Sequence, residues 1–175
     1  MNQQFQQQLK QLTFKTFHHN QIATFDYDDL FSNQRIVIFS ITNAYTVCSQ
    51  SYMDQFDQAY PELTQHGIDN IYAVDSTDWL IGPWADKRSD SIKGLPDRDM
   101  QFVKLLGDYY NQDKELIDLA RYWQYIIIIN DGVPEKLWHN PFKPSAPLLV
   151  LKSLEFRYRK LSPDIVKQYL LDNPR

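Results

Sequence analysis

A chain of 175 residues with 43% hydrophobic side chains suffices for one domain that buries about two thirds of its unfolded surface. Its net charge of −4 and the lack of a basic stripe interleaved with aromatics argue against a nucleic-acid partner, and no apolar run approaches the length that spans a bilayer. The single cysteine rules out an internal disulfide. The four histidines, His18, His19, His66 and His139, lack metal-ligand spacing, so no metal site is expected; no organic cofactor is implied.

Residues 1–11 (MNQQFQQQLKQ) are glutamine-rich and lack the apolar core of a secretory signal. They read as a frayed tail or helical arm of a cytoplasmic protein, ahead of a single domain over residues 12–175. Leu12–Phe17 alternates and predicts a strand, which a turn at His19-Asn20 joins to a second strand at Ile22–Phe25. Arg35–Ile41 (RIVIFSI) is nearly all apolar, as a strand buried on both faces in mid-sheet must be. From Ser49 to His66, Met53, Phe56, Ala59, Tyr60 and Leu63 recur at helical spacing, with Gly67 where a C-cap belongs.

Ile68–Val74 predicts a further buried strand, and Asp78–Asp86 a short helix containing Trp79 and Trp84. Leu95-Pro96 close another strand before Asp99, read as the N-cap of a helix to Leu106. Tyr122–Asn130 (YWQYIIIIN) is the strongest strand signal, and the turn Asp131-Gly132 joins it to Val133–Trp138 as a hairpin. A loop with Pro141, Pro144 and Pro147 leads to a final helix over about Pro163–Leu171. This order predicts an α/β fold, a three-layer α/β/α sandwich with a mixed central sheet and an N-terminal β-hairpin.

The motif order resembles the peroxiredoxin family in its peroxiredoxin-5-like (redoxin) branch, with a degenerate active-site loop, from about Leu12 to about Pro141. "LTFKTF", "DYDDLF" and "RIVIFSI" are similar to the family's opening strands and the lead-in to its central strand. The family's active-site loop reads Pro-Gly-Ala-Phe-Thr-Pro-x-Cys-Ser, against Thr42-Asn43-Ala44-Tyr45-Thr46-Val47-Cys48-Ser49 here. Downstream, "STDWLIGPWADK" resembles the Asn-Asp-x-Phe segment through Asp78 and Trp84. "LPDRDMQFVKLLG" matches through Pro96, Asp97, Phe102 and Gly107, and "QYIIIINDG" resembles the closing hairpin. The resemblance implies a thioredoxin-like fold, a peroxide substrate and a homodimer.

In that chemistry a thiolate attacks the peroxide O–O bond and becomes a sulfenic acid, which a second thiol reduces. A helix N-terminus and a nearby cation favour the thiolate, and a hydroxyl with backbone N–H groups aligns the peroxide. Aligned on Cys48-Ser49, the loop is one residue short, Cys48 is the nucleophile and Thr46 the positioning hydroxyl. Thr42 and Val47 then stand at the family's prolines and Asn43 at its glycine, so shielding and loop rigidity are expected to be weakened. This register keeps the family's spacing from the Cys-Ser pair to Phe56. Aligned without a gap, Thr46-x-x-Ser49 fills the family's spacing and serine takes the catalytic place.

The arginine that precedes the Phe/Tyr of the family's closing hairpin is Gln124 here, before Tyr125. That exchange removes a cation and a charged donor. Arg121 matches an auxiliary arginine, but an offset of three on a strand places it on the opposite face. Two functions follow as expectations. One is a one-cysteine thiol peroxidase acting on hydrogen peroxide or alkyl hydroperoxides, with glutathione, glutaredoxin or thioredoxin as external reductant. The other is a decayed scaffold with a binding, structural or divergent role, in which Cys48 is merely a small buried apolar residue.

Overall fold

The computed structural model describes residues 2–18, 21–76, 80–109, 124–139 and 146–158. Strands β1 (Phe14–His18) and β2 (Gln21–Phe25) form the expected antiparallel hairpin. Strands β3 (Arg35–Ile41), β4 (Asn70–Asp75), β5 (Ile92–Pro96), β6 (Tyr125–Asn130) and β7 (Val133–His139) form one mixed sheet in the order β5-β4-β3-β6-β7. Within it β3–β4 and β4–β5 are parallel, while β3–β6 and β6–β7 are antiparallel.

The central place of β3 follows from its composition. Val37, Phe39 and Ile41 pack on one face of the sheet and Ile36 and Ile38 on the other, all at most 2% exposed. Strand β6 divides in the same way, with Ile126 and Ile128 on the first face and Tyr125, Ile127 and Ile129 on the second. The first face is covered by α3 (Val47–Gln65), α4 (Ile81–Asp86) and α6 (Ala146–Tyr158). The second is covered by α1 (Asn2–Leu9), α2 (Tyr27–Leu30) and α5 (Gln101–Tyr109). The expected three layers are therefore present.

Of the two forms expected for the N-terminus, the structure has the helix. Phe5 and Leu9 of α1 are buried, and Phe5 meets the Tyr109 ring edge-on at 4.7 Å. Gln6 Nε2 donates to the Tyr27 hydroxyl and to the Asp131 carbonyl, tying α1 to the β6–β7 turn. That turn holds Asp131 at φ 48 and Gly132 at φ 70, the left-handed pair that a two-residue hairpin needs.

Three expectations need correcting. Helix α5 is capped by Asp97, whose carboxylate accepts from Phe102 N and Val103 N, and not by Asp99. The proline-rich stretch is not all loop, because α6 begins at Ala146 with Pro147 in its first turn, where a missing N–H leaves no intrahelical bond unmade. Its Val150, Leu151 and Leu154 reach the core beside α3. Helix α4 begins at Ile81, later than Asp78. The helix expected over 163–171, and Asp78, Trp79 and Arg121, lie outside the described residues.

Candidate active site

The loop 42–46 leaves the C-terminal end of β3 and enters α3, and its own side chains set its shape. Asn43 adopts φ 70, a left-handed conformation that asparagine tolerates better than most residues, and it stands where the resemblance puts a glycine. Its Oδ1 accepts from Tyr45 N at 3.1 Å and its carbonyl from Thr46 N at 3.2 Å. Ala44 is fully buried, and its N–H donates to Asp75 Oδ2 at 3.1 Å. Asp75 ends β4 and is 1% exposed. The loop thus carries several hydrogen bonds where the family has prolines.

Thr46 is the N-cap of α3, with extended backbone and an Oγ1 that accepts from Ser49 N at 3.2 Å. The same oxygen lies 3.2 Å from the Asn43 carbonyl and 3.0 Å from Ser49 Oγ. A hydroxyl has one proton, so if Thr46 donates to Asn43, the Ser49 hydroxyl donates to Thr46. Ser49 is fully buried, whereas Cys48 before it is exposed. Neighbours on a helix point about 100° apart, and here that turn separates the sulfur from the interior. The reading of Cys48 as a small buried residue is overturned. Val47 next to it and Tyr45 three residues before it are 81% and 55% exposed.

Gln124 is half-buried and directly precedes β6. Its neighbour Tyr125 donates its N–H to Ser40 Oγ at 2.8 Å, and Ser40 stands two residues before the loop. Gln124 therefore sits at the same end of the sheet as Thr42 and Asn43. The alternation of β6, carried back one residue, puts it on the face that α3 covers. Burial pushes the phenols of Tyr52 and Tyr125 well above their ordinary range, so neither serves as a base near neutral pH. Among the described residues no three His, Cys, Asp or Glu side chains gather as a metal site.

The sequence alone places Thr42 to Ser49 in one loop and helix start and Gln124 at the family's arginine position, and the structure brings the two to one end of the sheet. Sequence reasoning misses Asp75. The available signal is an acid closing the apolar run Ile71–Val74 of β4 (NIYAVD), where an unpaired carboxyl would be costly to bury.

A family model described as Redoxin matches residues 7–144. The chain is 28% identical over 143 residues to the hybrid peroxiredoxin hyPrx5 of Haemophilus influenzae, covering 80% of this chain and 59% of that protein. It is 30% identical over 141 residues to a peroxiredoxin of Rhizobium etli, covering 73% and 78%. Among solved structures, the reduced Prx3 of Vibrio vulnificus in complex with hydrogen peroxide superposes with a TM-score of 0.67 at 19% identity, over 86% of this chain and 95% of that one. Peroxiredoxin 5 of Alvinella pompejana gives 0.62 at 15% identity, over 83% and 95%. The fold is thus the thioredoxin-like one of these neighbours. The chain belongs to the redoxin family, among the peroxiredoxins.

Proposed function

We propose that the chain is a thiol-dependent peroxidase with Cys48 as its single peroxidatic residue, working from a weakened site. The carrying observation is the exposed thiol in the first turn of α3, directly after the braced loop 42–46. Kinship with peroxiredoxins supports the reaction class. The Cys48 thiolate attacks one peroxide oxygen, the O–O bond breaks, and the alcohol or water formed takes up a proton, leaving Cys48 as sulfenic acid. An external thiol then forms a mixed disulfide with loss of water. A second thiol releases Cys48 as a thiol and leaves as the disulfide of the reductant.

In this reading Thr46 orders the helix start and Gln124 supplies a neutral amide where the family has a guanidinium. Arg121, at the place of the family's auxiliary arginine, serves as a cation only if a bulge turns it to the face of Gln124. The reductant is a small thiol or a glutaredoxin or thioredoxin, the protein is cytoplasmic, and it pairs as a homodimer. Among the described residues no helix is long and apolar enough to cross a membrane. Turnover of hydrogen peroxide and of tert-butyl hydroperoxide with each reductant, beside Cys48→Ser, tests the proposal. Turnover only by the wild type is expected, and equal background rates contradict it.

One observation favours a second reading. Thr46 Oγ1 addresses Ser49, at the family's Thr-x-x-Cys spacing, and Ser49 is the buried member of the pair. A serine in that place cannot be oxidised by peroxide, and the chain would then be a scaffold for another role.

A further inference from the structure

We propose that Asp75 is the positioning residue of the site loop, doing from the neighbouring strand what prolines within the loop do in the family resemblance described above. Three features of the structure carry this. Asp75 is 1% exposed and lies at the C-terminal end of β4, paired with Ile41 of β3. From there its Oδ2 accepts the N–H of Ala44, three residues past that pair, at 3.1 Å. Ala44 is itself fully buried, so water cannot replace the carboxyl as acceptor for this N–H.

The anchor acts through the backbone on either side of Ala44. Before it stands Asn43, whose left-handed φ of 70 is held only while the loop keeps its turn. After it stand Tyr45 and Thr46, whose N–H groups return to Asn43 Oδ1 and the Asn43 carbonyl. Thr46 then caps α3 and fixes the turn that carries Cys48 and Ser49. One carboxyl oxygen thus orders a path from β4 to the exposed thiol. The main chain of Asp75 extends the same brace, since its carbonyl accepts from Asp97 N at 3.0 Å and Asp97 caps α5. Thr42 and Val47 are not prolines, so nothing covalent limits the loop. Hydrogen bonds hold it, and the strand-borne acceptor is the one that ties it to the sheet.

The anchoring stands on geometry alone, and its effect on Cys48 rests on the peroxidase reading, so the test separates the two. Amide hydrogen exchange over residues 43–46 and over β4 is measured in the wild type, Asp75→Ala and Asp75→Asn. Reaction of Cys48 with hydrogen peroxide and with iodoacetamide is followed in the same proteins. Asp75→Ala is expected to speed exchange at Ala44 and Thr46 by roughly tenfold or more while Ile71–Val74 stay protected. Asp75→Asn keeps an acceptor oxygen and is expected to restore most of that protection.

The peroxide rate is expected to fall roughly tenfold in Asp75→Ala, with a smaller change toward iodoacetamide, which needs no alignment by the loop. Unchanged exchange at Ala44 in Asp75→Ala overturns the anchor. Equal loss of protection throughout β4 also overturns it, because Asp75 would then be serving the sheet. Should Asp75→Ala fail to fold, exchange at Ala44 in the longer-armed Asp75→Glu decides, since its carboxyl is displaced from the Ala44 N–H: wild-type exchange there overturns the anchor. A loop that loosens as expected with no peroxide reaction in any of these proteins contradicts the peroxidase reading and leaves the anchor standing.

Discussion

Thr46 Oγ1 lies 3.0 Å from Ser49 Oγ and accepts the Ser49 N–H, while Cys48, between them in sequence, turns its thiol outward. The helix start is therefore organised around position 49, one residue from the sulfur. Moving the sulfur there in the double variant Cys48→Ser with Ser49→Cys sets it beside the Thr46 hydroxyl. Ser49 is fully buried, so the moved thiol is expected to react with hydrogen peroxide roughly tenfold more slowly than Cys48 in the wild type, despite the nearby hydroxyl. Stopped-flow fluorescence checks this, and a faster thiol would show that position 49 is the reacting place.

Thr46 is also a cap, and its loss should be felt in stability. Thr46→Val keeps the size and removes the hydroxyl, and an N-cap is worth about 1 kcal/mol. Denaturant unfolding is expected to show a loss of that order with an unchanged m-value. No loss would mean that Asn43 and Asp75 hold the helix start without it.

Gln124→Arg returns a cation to the sheet end beside the loop. A charged donor is expected to raise the rate of Cys48 oxidation roughly tenfold at neutral pH and to leave the fold intact. The half-buried position leaves room for a guanidinium to reach water, so thermal unfolding should move little. A rate unchanged by the cation would place Gln124 outside the reacting geometry.

Asp97 offers a test by titration. Burial raises its carboxyl above the ordinary 3.8, against the lowering effect of the backbone N–H groups it accepts. A raised acid binds its proton more tightly in the folded chain than in the unfolded one. Its ionisation therefore costs stability as pH rises through the window above 3.8, and protonation on lowering the pH restores it. Carbon NMR of the Asp97 carboxyl is expected to show a midpoint above 3.8, and a midpoint at or below that value would contradict the burial.

Gly94 lies where β5 passes α4, and a Cβ there would run into the carbonyl of Ile81. Gly94→Ala is expected to cost about 3 kcal/mol or more, because the obstacle is backbone and cannot swing aside. Chemical unfolding measures it, and a near-neutral result would show that α4 shifts on the sheet.

The sheet is legible in the sequence where burial leaves no alternative. RIVIFSI and YIIIIN are apolar on both faces, so they must lie mid-sheet, and Asp131-Gly132 permits the left-handed turn between β6 and β7. Helix α1 is harder to read, because two apolar residues, Phe5 and Leu9, sit among six polar ones. Helix α6 is hidden by the proline-rich stretch that leads into it, although Pro147 is harmless in a first turn. At the site, the loop and Gln124 are found by motif. The bracing by Asp75 is not, since it joins residues 31 apart through one side-chain hydrogen bond that no local pattern records.

The most direct measurement is intact-mass detection of Cys48 after a brief stoichiometric pulse of hydrogen peroxide in the presence of a sulfenic-acid trap, with Cys48→Ser as control. One adduct is expected on the wild type, formed faster than on a free small thiol, and none on the variant. No adduct, or one formed no faster than on the small thiol, would contradict a peroxidatic Cys48.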